Sequence, residues 1–276
     1  AVDSMRSELN QLDINGQIVI GEGELDKAPM LYIGEKIGTK KGPDIDIAVD
    51  PLEGTNFAAF NLPGALSVIA VAEKNNLFKA PETYMEKISA NVHEKEVVDL
   101  DYSIKKNIYN LSDYLNKKPE NLTACIMDRP RHKSIIKELN NLKVKIKLIS
   151  DGDVSGALLV TDKKYNVDIF LGIGGGPEGV LAASALDAYE CAFQGRFLFD
   201  TEEDKIRAKK MGIKNFKKKY ELNEIVSGDS IFCATGITTG DLFNGIMIKD
   251  KNFVSETLVT HKSSKLKKII KMEEKI

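Results

Sequence analysis

Apolar and polar positions recur with two periods along the chain, and the switches between them outline an α/β protein. Val2, Met5, Leu9 and Leu12 return at helical spacing, so residues 1–13 read as a helix. Gln17 to Ile20 is a short apolar strand that runs into Gly21-Glu22-Gly23-Glu24. Residues 28–37 are expected to be helical, with Pro29 in the first turn and Gly38 past the end. From Asp44 to Val49 the period is two, with Ile45, Ile47 and Val49 on one side, which predicts a strand delivering Asp50 at its end. Ala65 to Ala72 reads as a buried strand by its Val and Ile content.

Between residues 74 and 106 the composition turns polar and charged. A lobe boundary is expected there, with 1–105 as an N-terminal α/β lobe and 106–276 as a C-terminal one. In the second half, Leu122–Met127 is a strand and 133–140 a helix. Val144, Ile146 and Leu148 alternate into a strand that stops at Asp151-Gly152-Asp153. Val167–Leu171 is a strand entering the glycine-rich run 172–179, followed by a helix to about Phe193. Residues 202–212 read as helical, and Ile231–Ala234 as a strand entering Thr235 to Gly240. Lys262, Lys265, Lys267, Lys268 and Lys271 read as the solvated face of a helix, diluted by Glu273 and Glu274.

Composition narrows the setting. The 276 residues are 42% apolar and 29% charged, with a formal net charge of −2. That is an ordinary globular balance, with no global positive field to attract nucleic acid or an anionic membrane. No apolar run approaches the ~20 residues of a membrane helix, and no signal peptide is visible. Cys125, Cys191 and Cys233 are far apart and lack CxxC or Cys/His spacing, so zinc-finger and redox readings fail and a reducing cytoplasm is the simplest setting. The chain opens at Ala1 inside a helical pattern, so a preceding segment is expected.

The candidate chemistry gathers at predicted strand ends, where ligands of α/β proteins collect. Asp50-Pro51-Leu52-Glu53-Gly54-Thr55 sets two carboxylates three residues apart, and Pro51 and Gly54 favour a turn that lets them converge. Such hard oxygen ligands suit Mg²⁺ or Mn²⁺; an acidic surface turn is the competing reading. Glu22 lies between two glycines and could be held inward or simply solvated. Gly174-Gly175-Gly176-Pro177-Glu178-Gly179 places Glu178 in a first helical turn, either as a further ligand or as an ordinary helix start. It is neither a Walker A loop nor a convincing dinucleotide fingerprint. Arg129-Pro130-Arg131-His132 could grip a phosphate or be a basic turn. Asp151-Gly152-Asp153 could bond sugar hydroxyls or cap a helix. Tyr84, taken alone, reads as a core tyrosine. His93, His132 and His261 pair with no nucleophile motif, which favours metal-activated hydrolysis over a His-based triad.

Taken together, Gly-Glu-Gly-Glu (21–24), Ala-Pro-Met-Leu-Tyr-Ile-Gly-Glu (28–35), Asp-Pro-Leu-Glu-Gly-Thr (50–55), Tyr-Met-Glu-Lys (84–87), Arg-Pro-Arg-His (129–132), Asp-Gly-Asp (151–153), Gly-Gly-Gly-Pro-Glu-Gly (174–179) and Ala-Thr-Gly-Ile-Thr-Thr-Gly (234–240) closely resemble the class II, GlpX-type fructose-1,6-bisphosphatases. The resemblance runs from Ala1 to about residue 260. It implies the layered α-β-α-β-α sandwich of the lithium-sensitive, inositol monophosphatase-like sugar phosphatases. It implies removal of the 1-phosphate of fructose 1,6-bisphosphate in gluconeogenesis, with Mg²⁺ or Mn²⁺, by a cytoplasmic homo-oligomer (dimer or tetramer). Sedoheptulose-1,7-bisphosphatase or inositol-phosphatase-like activity is the alternative, and a non-catalytic sugar-phosphate binder a further one.

By the same resemblance, metal ligation falls on Glu22, Asp50, Glu53 and Glu178, and catalysis on Thr55 and Glu22. Substrate contacts fall on Glu53, Gly54, Thr55, Tyr84, Arg129, Pro130, Arg131, Asp151, Gly152, Asp153 and Gly175. Two departures stand out. The family's Gly-Asp-Lys segment and Asp-Gly pair, which bring another ligand aspartate and a lysine, belong before Ala1. Gly176 also stands where many relatives carry alanine.

Overall fold

The computed structural model describes residues 1–22, 31–94 and 96–276. In chain order the elements are α1 (Val2–Leu9), β1 (Asn15–Ile20), β2 (Lys36–Ile37), β3 (Asp44–Glu53), α2 (Thr55–Ala59), β4 (Leu66–Glu73) and β5 (Tyr84–Ala90). They continue with α3 (Ile104–Leu115), β6 (Thr123–Met127), α4 (Lys133–Asn141), β7 (Lys145–Ile149), α5 (Asp153–Leu158), β8 (Ile169–Gly175) and α6 (Gly176–Asp187). The rest are β9 (Ala192–Leu198), α7 (Glu202–Lys210), β10 (Lys219–Glu221), α8 (Leu222–Ile225), β11 (Ser230–Gly236), β12 (Met247–Lys249), β13 (Asn252–His261) and β14 (Leu266–Lys275).

The strands form an eight-stranded sheet, β12-β13-β11-β4-β3-β1-β2 with β14 beyond β13, and a six-stranded sheet, β10-β9-β5-β8-β6-β7. By sheet membership the chain changes over between β4 and β5, and returns between β10 and β11. Alternation along the strands sorts the cores. Ile47 and Val49 join Leu9 of α1 on the outer face of the large sheet. Ala48, Val68, Ala70, Phe232 and Ala234 face inward and share a core with α5, α6, α8, Met85 and Phe170. On the far side of the small sheet, Ile88, Ala124, Ile169 and Leu171 pack against Ile108 and Leu111 of α3 and Leu139 of α4. The layers are therefore α, β, α, β, α, with α6 buried between the sheets. Cys125 and Cys191 are buried free thiols, pushed up to about 12 by loss of solvent. Among the described residues no helix is long and apolar enough to cross a membrane.

Three sequence expectations are corrected. Residues 31–37 are not helical, and residues 28–30 lie outside the described ones. Leu31 (φ 54°) and Gly34 (φ 97°) adopt left-handed backbone, and Lys36–Ile37 pairs with β1. Glu35 is buried and accepts from Arg6 Nε at 2.5 Å, a contact from α1 that a short-range pattern does not contain. The helix after the glycine run stops at Asp187, and Phe193 belongs to β9. Because α6 is apolar on every side, its composition does not mark its end. The polar stretch 74–106 holds β5, the strand between β9 and β8 in the small sheet. Finally, the C-terminal lysines lie on a hairpin, β13–β14, not on a helix.

Candidate active site

Asp50 and Glu53 face the same way because the strand carrying them bulges. Side chains of a strand alternate between faces, so residues three apart should point oppositely. Here Asp50 pairs with Val68 and Glu53 with Leu66, so three steps on β3 match two on β4. The extra residue falls at Pro51-Leu52, where proline has no N–H to give the ladder. Both carboxylates consequently turn to the inner face shared by Val68 and Leu66. Leu52 N–H donates to Asp50 Oδ1 at 3.0 Å, and Gly54 closes the turn with φ 77° before α2.

The small sheet supplies the opposite wall. β6 runs parallel to both β7 and β8, so the loops after all three leave from one edge. They carry Arg129 to His132, Asp151 to Asp153, and Gly175 to Glu178. Tyr84 begins β5 directly opposite Gly175. The two sheets are tied here by Val154 N–H donating to Glu53 Oε1 at 2.8 Å and by Asn56 Nδ2 donating to Asp151 Oδ2 at 3.3 Å.

Charge in the site is unbalanced. Burial pushes the Asp50 carboxyl up from 3.8 to about 7; the Leu52 N–H opposes this, while Glu178, Glu22 and Asp151 add repulsion. Glu53, 1% exposed, is raised well above the usual range by burial and then by Asp50. Glu178 is raised by burial, an effect that the Lys87 cation opposes. Among the described residues, Glu53 Oε2 and Asp153 Oδ1 are buried without a hydrogen-bond partner. Buried acceptors of this kind are costly unless something electropositive meets them. The glycine run lets carboxylates lie against backbone: a Cβ on Gly174 would fall 1.8 Å from Asp153 Oδ2, and one on Gly175 1.8 Å from Glu178 Oε2.

Lys87 went unassigned in the sequence reading. It is 1% exposed, forms an ion pair with Asp153 Oδ2, and donates to the Gly175 carbonyl at 2.7 Å. The period-two pattern from Tyr84 puts Met85, Lys87 and Ser89 on one face and could have flagged it. Asn56 and His132 were also missed as organisers. Met127 O accepts from His132 Nδ1 at 2.7 Å, and His132 Nε2 accepts from Ile173 N–H at 2.7 Å, so the ring braces the Arg loop against β8. Burial shifts that imidazole below its usual range, in keeping with a ring nitrogen that accepts a hydrogen bond.

At the rim, Arg131 donates from Nε to Ile173 O at 2.9 Å, and its guanidinium lies 4.8 Å over the Tyr84 ring. Tyr84 is thus 46% exposed and not a core residue. Arg129 Nη2 stands 3.6 Å from Asp151 Oδ1. Thr55 is exposed at the first residue of α2, beside Glu53. Glu22 is half-buried, its N–H donating to Leu31 O at 2.9 Å, and its charge reaches Asp50. Gly23 and Glu24 lie outside the described residues. Gly152 takes φ 84° ahead of Asp153, whose 6% exposure and ion pair with Lys87 turn it toward the protein. Thr238, in the last glycine-rich string, accepts from Ala65 N–H and donates to Leu62 O, holding the loop after α2. Among the described residues no three His, Cys, Asp or Glu side chains close on one point at ligating distance.

A family model described as bacterial fructose-1,6-bisphosphatase, glpX-encoded, matches residues 1–274. Curated relatives named D-fructose 1,6-bisphosphatase class 2/sedoheptulose 1,7-bisphosphatase are similar over nearly the whole chain. The protein of Synechocystis sp. (strain PCC 6803) is 41% identical over 289 residues, covering 96% of this chain and 84% of the relative. That of Microcystis aeruginosa is 40% identical, covering 98% and 86%. That of Synechococcus sp. (strain CC9902) is 43% identical over 260 residues, covering 89% and 78%.

Proposed function

The chain belongs to the bacterial, glpX-encoded fructose-1,6-bisphosphatase family, and on that footing we propose that it hydrolyses the 1-phosphate of fructose 1,6-bisphosphate in a divalent-metal-dependent reaction. The observation that carries the reading is the buried acidic cluster beside a cationic rim. Asp50, Glu53 and Glu178 are destabilised as anions by burial, and Glu53 keeps an unpartnered oxygen. Such a donor set fits a hard dication. Asp50, Glu53 and Glu178, with Glu22, would hold Mg²⁺ or Mn²⁺. What the ion supplies when bound is neutralisation of phosphoryl oxygens and a more acidic water.

The chain's own groups do the rest. Arg129 and Arg131 grip the distal phosphate, with charge-assisted bonds fixing the substrate's orientation. Pro130 shapes that loop, and Tyr84 supplies an exposed ring at the sugar's edge. Asp151, with Gly152, meets sugar hydroxyls, and Gly54 and Gly175 let the reacting phosphate approach backbone. Asp153 acts through Lys87, which holds it in place. Thr55 orients the attacking water and relays its proton, accepting it as the hydroxyl passes its own on to a carboxylate of the site.

The names of the relatives favour a second substrate, sedoheptulose 1,7-bisphosphate. Phosphate release should be followed from fructose 1,6-bisphosphate, sedoheptulose 1,7-bisphosphate and an inositol monophosphate, with Mn²⁺ and again with EDTA. Metal-dependent release from the first supports the proposal. Release unaffected by EDTA removes the metal dependence, and no release from either bisphosphate removes the proposal in favour of a binding role. Free, buried thiols accord with a reducing, cytoplasmic setting.

A further inference from the structure

Glycines make a slot for Lys87 in the small sheet. On β5 it is flanked by Gly172 of β8 and Gly195 of β9, neither of which has a side chain to crowd it. A Cβ on Gly179 of α6 would lie 3.5 Å from Lys87 Cδ, so the lysine stem passes along that helix. The slot carries Nζ to the corner where the loops after β7 and β8 meet. There it pairs with Asp153 Oδ2 and donates to the Gly175 carbonyl at 2.7 Å. Gly174 and Gly175 are adjacent on β8, and they let Asp153 and Glu178 lie against the backbone side by side. Asp153 repels the Glu178 charge, and Lys87 offsets it. Asp153 is only 6% exposed, and its Oδ1 has no hydrogen-bond partner among the described residues.

Two carboxylates and a peptide carbonyl around one point are the oxygen donors that a hard dication takes. A lysine ammonium is a compact point charge that can stand in the same place. We infer that Lys87 is a fixed cation of the metal centre: it fills the corner between Asp153 and Glu178, keeps a divalent ion out of it, and confines bound metal to the side of Asp50, Glu53 and Glu22. The inference rests on the metal-dependent reading above. Its basis is charge and burial. A dication entering that corner would face a unit positive charge on a side chain 1% exposed, with little water to screen the repulsion. Nor can the ammonium swing aside, because a buried charge without its partner is strongly disfavoured. Asp153 is thereby reserved from metal ligation. The loops after β7 and β8 also gain a tie that is present before any metal binds.

Counting bound Mn²⁺ tests this, by equilibrium dialysis of the full chain at pH 8 with the free ion read by electron paramagnetic resonance. Lys87→Met frees both Asp153 oxygens and should bind one Mn²⁺ per chain more than the wild type. Damage to packing alone would act in the opposite direction, weakening the binding of every ion. Lys87→Met/Asp153→Asn removes the carboxylate that holds the gained ion and should return to the wild-type number. Because the ion takes over the place of the ammonium, Mn²⁺ should raise the melting temperature of Lys87→Met more than that of the wild type. A Lys87→Met chain with the wild-type ion number overturns the inference. So does one that stays unfolded in saturating Mn²⁺, or a double variant that keeps the extra ion. Wild type that binds Mn²⁺ beside a Lys87→Met variant with no gain removes the role of Lys87 alone. Absence of binding by wild type and variants alike removes the metal-dependent reading together with it.

Discussion

Replacing Lys87 by methionine keeps most of the side-chain volume and removes its charge. Asp153 would then sit 6% exposed with neither oxygen paired, since Oδ1 already lacks a partner. Breaking a buried ion pair from one side costs about 3–5 kcal/mol. Urea unfolding of Lys87→Met should show a loss of that order; a loss under about 1 kcal/mol would mean the pair carries little. Thr55 is exposed, so Thr55→Ala should leave stability almost unchanged while turnover falls at least ~10²-fold if the hydroxyl moves a proton. Near-normal turnover would take Thr55 out of the mechanism. Arg131→Ala loses both the contact over Tyr84 and its grip on phosphate, and should raise KM far more than it lowers kcat. The single residues were unevenly legible. Asp50, Glu53, Glu178 and the two arginines stood out by type and by place at strand ends. Lys87 did not, because a lysine in a charged stretch looks solvated until β8 and β9 pair on either side of its strand and Asp153 meets it.

At the scale of elements, the junction of β3 with α2 decides how two acidic side chains meet. Gly54 has φ 77°, and a Cβ there would lie 2.7 Å from Phe57 Cδ2. Gly54→Ala should therefore cost about 1–3 kcal/mol and disturb Glu53 next to it. The check is a lowered melting temperature together with a raised Mn²⁺ requirement; an unaltered metal titration would show that the turn has room to relax. The period-two pattern of Ile45, Ile47 and Val49 predicted β3 correctly, and it contained no sign of the bulge after Asp50. A bulge is a relation between two strands, so only the register with β4 reveals it. The same logic explains residues 31–37, whose helical spacing yields to a buried Glu35–Arg6 contact, and β9, whose start was hidden behind an all-apolar helix.

For the whole molecule, the acidic cluster ties stability to pH and to metal. Burial lifts the Asp50 carboxyl to about 7 in the fold, against 3.8 in the unfolded chain. Between those values the native state binds the extra proton, so the metal-free protein loses stability as pH rises from about 4 to 7. In EDTA its melting temperature should be higher at pH 5 than at pH 8. Mn²⁺ should raise it more at pH 8, where the ligands are ionised, than at pH 5. A metal response equal at both values would argue against Asp50 as a ligand.

The amino-acid order by itself determined the α/β class, most strand positions and the acidic and cationic strings, because these depend on local period, turn residues and side-chain type. The tertiary structure alone decided which strands share a sheet, that β5 lies inside the small one, and that Asp50 and Glu53 face one way. It also decided that Lys87 lies buried among carboxylates. Those features arise from pairing and burial between distant segments, and no local pattern encodes a partner that lies a hundred residues away.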